Sequence, residues 1–400
     1  MSVGLLAGFL LACGVSCVGQ EGGSSRMPTP ASSMIRTQSA SFSSPAIAAA
    51  PEPVQKLNGV TALSVEPRDV PAPEDLERWV RDLLQRGITM VILEIGTSPG
   101  STRMVSADGR RATGIYFRSQ WAETIRDVFG ELIPPAHREG LAVCAAVSPR
   151  RIDWVDPTLA WQDRAYDAVH RQVRLSPYLD LFHPGFQEYL VGLLTDLADT
   201  GVDGMLFRSE GALGPYDGLS GFGRQAFERD FQIRIDPVRF FTGAKSSGPG
   251  AGSGDTTPEY YSPDFWRWAG WKARERVKIL ERLVRAMRFR GSALHMALEV
   301  HPEAVTDPRA ALLRYGEDLL ESKRRFQYFA LRWPPAGQAT RVNGDHPMAV
   351  IEKMKGLLGG AARIWMTMPV SPAQDGGIGV SLPEDRAALG TDIGLIYQSK

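Results

Sequence analysis

Several acids stand at or just past the ends of short apolar runs: Glu66, Glu94, Glu210, and the cluster Glu299, His301 and Glu303. Carboxylates converging on one place suit one kind of chemistry. Breaking a glycosidic bond takes a protonated carboxyl that gives its proton to the leaving oxygen, and a second carboxylate that attacks or stabilises the oxocarbenium-like carbon. The plainer use of such acids is to accept hydrogen bonds from the amino ends of helices that follow strands. Any two of these acids could supply that pair. Arg208 beside Glu210 favours an ionised carboxylate, which fits a stabilising role better than proton donation. Glu94, Asp203, Arg208, Ser209 and His301 are expected to contact the substrate, with Asp203 orienting a strand end rather than reacting.

Aromatic rings add to this set. Trp154, Trp161, Tyr166, Tyr260, Tyr261 and Trp333 all fall in stretches that read as loops, and rings exposed in loops match the apolar faces of sugars. Trp154 and Trp333 are the ones expected to bind. Trp266, Trp268 and Trp271 lie on a helix, where packing is the expected use. No histidine pair stands at metal-binding spacing with an acid, and there is no G-x-S-x-G elbow or phosphate-binding loop. The expected reaction therefore uses no metal and no cofactor.

The segments between these residues alternate. Apolar, strand-like runs at 60–66, 88–95, 141–147, 202–207, 292–300, 326–331, 363–368 and 393–397 are separated by helical patterns over most of the chain. In the first such helix Leu76, Trp79, Val80, Leu83 and Leu84 recur at helical spacing, acids occupy the first turn and Gly87 stops it. A helix is expected from Ser119 to Arg138 with a break at Pro134-Pro135, another from Phe186 to Leu197, a long one from Pro263 to Arg290, and others at Leu312–Leu320 and Pro347–Leu358. Near-continuous apolar strands between amphipathic helices predict a parallel sheet covered on both faces. Eight such units predict a (β/α)8 barrel, a fold of ~250 residues before insertions. An open doubly wound sheet is the rival, but no G-x-G-x-x-G follows the first strand. In a barrel the chemistry sits at the carboxyl ends of the strands, where the acids are.

The 400 residues carry 45 basic and 45 acidic side chains and are 43% hydrophobic. That composition excludes wholesale disorder, and a net charge of +0 gives no reason to expect nucleic acid. Residues 1–18 read as a signal segment, apolar from Val3 to Val18, and Leu10-Leu11-Ala12-Cys13 resembles a bacterial lipobox. Cys13 is then the lipidation site, and the protein is expected to be exported and anchored in the cell envelope, at the periplasmic side of the outer membrane. Residues 19–55, rich in Ser, Ala, Pro and Gly, read as a flexible tether. Residues 56–400 form the barrel, interrupted by a glycine-rich insert at about 242–258. Cys144, within an apolar run, is expected to be a buried small hydrophobe, and His295 a barrel-layer residue.

Several stretches together resemble the carboxyl-terminal glycoside-hydrolase-like domain of the PgaB family, the poly-N-acetylglucosamine deacetylases of biofilm export. They are Asp-Pro-Thr-Leu at 156–159, Arg-Leu-Ser-Pro at 174–177, the run from Leu193 to Phe207, Trp268 to Arg274, and His301-Pro302-Glu303. The likeness runs in order from about Gly96 to Arg332. It implies a barrel that binds partly deacetylated poly-N-acetylglucosamine and cleaves it internally, here without the deacetylase domain. The family has His-Asp-Asp where this chain has Arg208-Ser209-Glu210, so its first acid matches a serine and Glu210 matches the second; with Glu303, in the His-Pro-Glu that stands where the family has Gln-Pro-Glu, Glu210 is then expected to react. Two readings follow: a glycoside hydrolase, or a barrel that has kept the groove and aromatics and only binds the polymer.

Overall fold

The structure is a computed structural model, and it describes residues 60–97, 113–155, 159–241, 261–289, 294–334, 346–360, 362–369 and 393–398. The expected signal segment, Cys13, the tether and the glycine-rich insert lie outside the described residues. Eight parallel strands close into a barrel: β1 (Thr61–Val65), β2 (Met90–Glu94), β3 (Ala142–Val147), β6 (Gly204–Phe207), β7 (His295–Val300), β8 (Tyr328–Arg332), β9 (Arg363–Pro369) and β10 (Gly394–Gln398). Around the barrel they follow sequence order, and β10 pairs with β1 to complete the ring. The remaining strands, β4 (Gln162–Asp167) and β5 (Gln172–Leu179), make a separate antiparallel hairpin after β3.

Helices connect the strands. They are α1 (Leu76–Gln85), α2 (Val128–Glu139), α3 (Pro184–Ala198), α4 (Gly221–Phe231), α5 (Pro237–Phe241) and α6 (Pro263–Arg288), then α7 (Glu303–Thr306), α8 (Pro308–Tyr315), α9 (Leu319–Ser322) and α10 (Pro347–Leu358). The eight barrel strands lie where apolar runs predict them, which makes the chain a (β/α)8 barrel. Two of the expected helices differ, and α4 and α5 were not expected. α2 starts at Val128, because Asp127 caps Gly130 N and the preceding segment makes isolated bridges, Ile115 with Gly96 and with Thr124. It continues through Pro134 and Pro135 to Gly140 (φ 84°), its face of Phe129, Leu132, Ile133 and Ala136 buried. The expected helix at 312–320 is two short ones, split where Gly316 (φ 58°) ends α8. The hairpin was not expected at all.

Successive strand residues face opposite ways, so every second residue points into the barrel. The interior combines the small Ala62, Ala142, Ala146, Ala297 and Ala330 with Met90, Ile92, Leu206 and Ile396 and the larger Tyr328 and Trp365. Gly394 makes room for that tryptophan: a Cβ there would lie 2.4 Å from Trp365 Cδ1. Small residues against large ones fill a tapering space at interior density. Cys144 is buried in this interior, and His295 meets Tyr328 edge to face, ring centroids 5.3 Å apart.

Asp203 belongs to the barrel's other end, which corrects its expected contact with substrate. It precedes β6, is 1% exposed, and accepts hydrogen bonds from His137 Nε2 at 2.9 Å and Val143 N at 2.7 Å. Chemistry in this fold belongs to the carboxyl ends of strands, and Asp203 instead ties α2 and β3 to the amino end of β6. Truncation strands buried donors, each costing about 1–3 kcal/mol. Asp203→Ala is therefore expected to lower unfolding free energy by roughly 2–4 kcal/mol in urea denaturation, with Asp203→Asn losing less because it keeps an acceptor.

Candidate functional site

The interior alternation continues to the carboxyl end of the barrel and there turns polar. Two residues beyond the interior Ala62, Ile92, Leu206, Ala297 and Ala330 stand Ser64, Glu94, Arg208, Glu299 and Arg332. Around the ring from β2 through β6, β7 and β8 the charges alternate: Glu94, Arg208, Glu299, Arg332. Arg208 lies at the centre of the layer, 6% exposed. Its Nε donates to Glu94 Oε1 at 2.6 Å and its Nη2 to Ser64 Oγ at 2.8 Å. Its Nη1 lies 3.5 Å from Glu299 Oε1. Burial opposes its charge, but Glu94 and Glu299 hold it above the ordinary arginine range.

Glu299 is 0% exposed, and its Oε2 accepts from both Ser209 N (2.9 Å) and Ser209 Oγ (2.8 Å). Burial works to raise it, yet Arg208, Arg332 and the two Ser209 bonds together keep it below the usual carboxylate range. Ser209 thus clamps an acid supplied by β7. Glu94 goes the other way: burial raises it, the Arg208 pairing opposes this, and Glu210 and Glu299 add their negative charge. Glu210 is about a third exposed and sits between Arg151 (Nη1 to Oε2, 3.5 Å) and Arg332 (Nη2 to Oε1, 3.4 Å).

Above this layer opens a cavity of about 220 Å³. Its wall carries the carboxylates Glu66, Glu94 and Glu210, the cations Arg151 and Arg208, and Trp154. The indole lies against Gly96, where a Cβ would come within 2.6 Å of Trp154 Cζ3, so only glycine leaves room for it. Its Nε1 donates to Tyr189 Oη at 2.9 Å, which fixes the ring's orientation.

The other expected site residues stand apart from this cavity. Glu303 opens α7 and is buried, its carboxylate 3.3 Å from Tyr315 Oη and 3.9 Å from Arg314. His301 stacks on Tyr315 with ring centroids 3.6 Å apart and turns Nδ1 to Glu317 at 2.9 Å. Neither lines the cavity, and Trp333 packs against the core. Tyr166 is in β4 and stacks on Phe241, and Tyr261 stacks on Phe265, so neither is an exposed loop ring. Glu299 and Ser64 were missed as partners of Arg208, and Arg332 as a partner of Glu299 and Glu210; counting by twos along their strands from the interior alanines finds them.

The loop that carries Glu210 out of β6 is fixed by buried cations. Arg150 Nη1 donates to the carbonyls of Gly211 and Ala212, both at 2.7 Å, and its Nη2 to Asp163 Oδ2 at 2.7 Å. Lys272, on α6, donates to the carbonyls of Gly214 (2.6 Å) and Asp217 (3.1 Å). Burial brings this lysine down to about 8. Trp268 and Trp271 stack beside it at 5.1 Å, so the Trp268–Arg274 stretch of the family resemblance packs and pins rather than touching the cavity.

No protein-family model matches the sequence, and no curated protein does. Among solved structures, an α-amylase from Lactobacillus plantarum is 12% identical over 85% of this chain and 71% of its own, with a TM-score of 0.47. A β-galactosidase from the Antarctic haloarchaeon Halorubrum lacusprofundi is 13% identical over 85% and 53%, with a TM-score of 0.49. A GH20 exo-β-N-acetylglucosaminidase from Vibrio harveyi is 9% identical over 85% and 50%, with a TM-score of 0.42. The chain spans about half the length of the latter two. These three are glycoside hydrolases by name, and the fold of this chain rests on the strand order given above.

Asp163 gives this loop a pH dependence. It accepts from Gly218 N at 2.8 Å and Arg164 N at 2.7 Å, and burial lifts it to about 6 despite Arg150. A carboxyl raised in the folded state binds its proton more tightly there than in the unfolded chain. Its stabilising contribution is complete below the unfolded value near 3.8 and is lost as pH rises through about 6. Measured by urea unfolding across that window, wild type is expected to lose stability relative to Asp163→Asn by an amount on the order of 3 kcal/mol, at 1.36 kcal/mol per unit.

Proposed function

We propose that this protein is an exported, lipid-anchored glycoside hydrolase acting on an amino-sugar exopolysaccharide such as partly deacetylated poly-N-acetylglucosamine. Glu94 is the proton donor and Glu210 the carboxylate that attacks or stabilises the anomeric carbon. One observation carries the reading: both carboxylates line one cavity, and burial favours the protonated form of Glu94 while two arginines flank Glu210. Hydrolysis needs such a division of labour between two acids. Glu94 takes the place that the sequence alone gave to Glu303. Trp154 offers an apolar face for a sugar ring at the same wall. The substrate class and the lipid anchor at Cys13 rest on the PgaB resemblance and on the Leu10–Cys13 motif, with the polysaccharide as the partner and no nucleic acid.

A second reading has its own observation. Arg208 holds Glu94 at 2.6 Å, and Ser209 replaces an acid of the resembled family. A barrel whose acids are all engaged by arginines can bind polymer during export without cutting it. Incubating the full chain with partly deacetylated poly-N-acetylglucosamine and sizing the products separates the two. Shortened oligomers are expected from wild type, with Glu94→Gln and Glu210→Gln each slower by about 10²- to 10⁴-fold. Polymer retained at full length while still binding would leave the binding-only barrel, and cleavage surviving Glu94→Gln would remove Glu94 from its role.

A further inference from the structure

Glu299 does not line the cavity, yet it is the most deeply buried acid of the layer beneath it. Its Oε2 is saturated by Ser209, and its Oε1 has no hydrogen-bond partner among the described residues. The same is true of Arg208 Nη1, the atom that faces it at 3.5 Å. Two buried charged atoms thus stop just short of a hydrogen bond. The rest of the Arg208 guanidinium is committed to Glu94 and Ser64 on the opposite side. A single cation stands between two carboxylates, bonded to one and attracted to both.

We propose that Glu299 is a positioning residue that divides Arg208 between two carboxylates, so that Glu94 is only partly neutralised and can carry a proton. Ser209 is what makes this stable. Its two bonds hold Glu299 ionised and in place, so Glu299 competes for Arg208 without taking up the proton itself. Arg332 tunes the division, lying 3.6 Å from Glu299 and 3.4 Å from Glu210. The groups that set the charge state of Glu94 are Arg208 from β6, Glu210 from the loop beyond it and Glu299 from β7, with Glu66 and Arg151 on the cavity wall. Burial favours the neutral form of Glu94, and the shared arginine does not override it.

Opposite variants follow from this geometry. Glu299→Gln removes a like charge and leaves Glu94 as the fixed anion of Arg208, so both effects make Glu94 release its proton at lower pH. Arg332→Gln leaves Glu299 dependent on Arg208 and draws that cation away from Glu94, which then holds its proton to higher pH. Removing or supplying one neighbouring charge moves a carboxyl by about one unit or more.

The inference rests on Glu94 as the proton donor, and its test reads the carboxyl directly. In the full chain labelled with ¹³C at glutamate carboxyls, the Glu94 resonance is identified by its loss in Glu94→Gln and titrated in wild type and in each variant. The expected result is a Glu94 midpoint about one pH unit lower in Glu299→Gln and higher in Arg332→Gln. A midpoint unchanged or raised in folded Glu299→Gln overturns the proposal. If that variant does not fold, an unchanged midpoint in Arg332→Gln, whose side chain is 36% exposed, overturns it instead. Midpoints that move in a protein forming no oligomers would sink the hydrolase reading and keep this one. Cleavage without such movement would do the reverse.

Discussion

The hydrogen bond from Arg208 Nε to Glu94 is the contact on which the mouth of the barrel depends. A barrel filled with apolar side chains must end somewhere, and its last layer meets solvent on one side and hydrocarbon on the other. Here that layer is built from opposite charges in alternation rather than from larger apolar residues. Taking ions from water costs several kcal/mol each, and mutual attraction offsets this only with close geometry and further hydrogen bonds. Arg208 has both, through Glu94, Ser64 and Glu299. Removing Glu94, which is 31% exposed, leaves the buried Arg208 cation with less compensation, at a cost below that of breaking a fully buried pair. Apolar replacements of similar volume are often as stable as buried ion pairs or more so. The layer is therefore poorly explained as a stability device, and a role for its charges in the cavity above is the better account.

The surroundings of this layer serve its geometry. Ser209 fixes Glu299, Arg150 and Lys272 fix the loop beyond Glu210, and the stacked Trp268 and Trp271 hold Lys272 against that loop. A buried lysine brought down to about 8 and a buried aspartate raised to about 6 mark where burial outweighs pairing. Both sit around one loop.

All eight barrel strands were legible in the sequence because buried parallel strands are continuous apolar runs, a signal that needs no partner to be seen. The hairpin β4–β5 was not, since Gln162–Asp167 (QDRAYD) has no apolar run and its pairing comes from the opposing strand. The acids at strand ends were legible as a group. Choosing among them was not, because a one-residue change in register sends a side chain to the other face. Glu299 is in phase with Ala297 and enters the layer, whereas Glu303 follows Pro302 into α7 and meets Tyr315. Asp203 carried a motif-like Asp-Gly signal, but it stands before its strand, and the amino end of a strand is the wrong end of this fold.

A crystal structure of the full chain with an oligomer of β-1,6-linked glucosamine and N-acetylglucosamine tests the account most directly. A sugar ring lying on Trp154 with a glycosidic oxygen within about 3.2 Å of Glu94, the reach of a proton donor, is the predicted result. The oligomer bound on another face, with the Glu94 and Glu210 cavity empty, would contradict it.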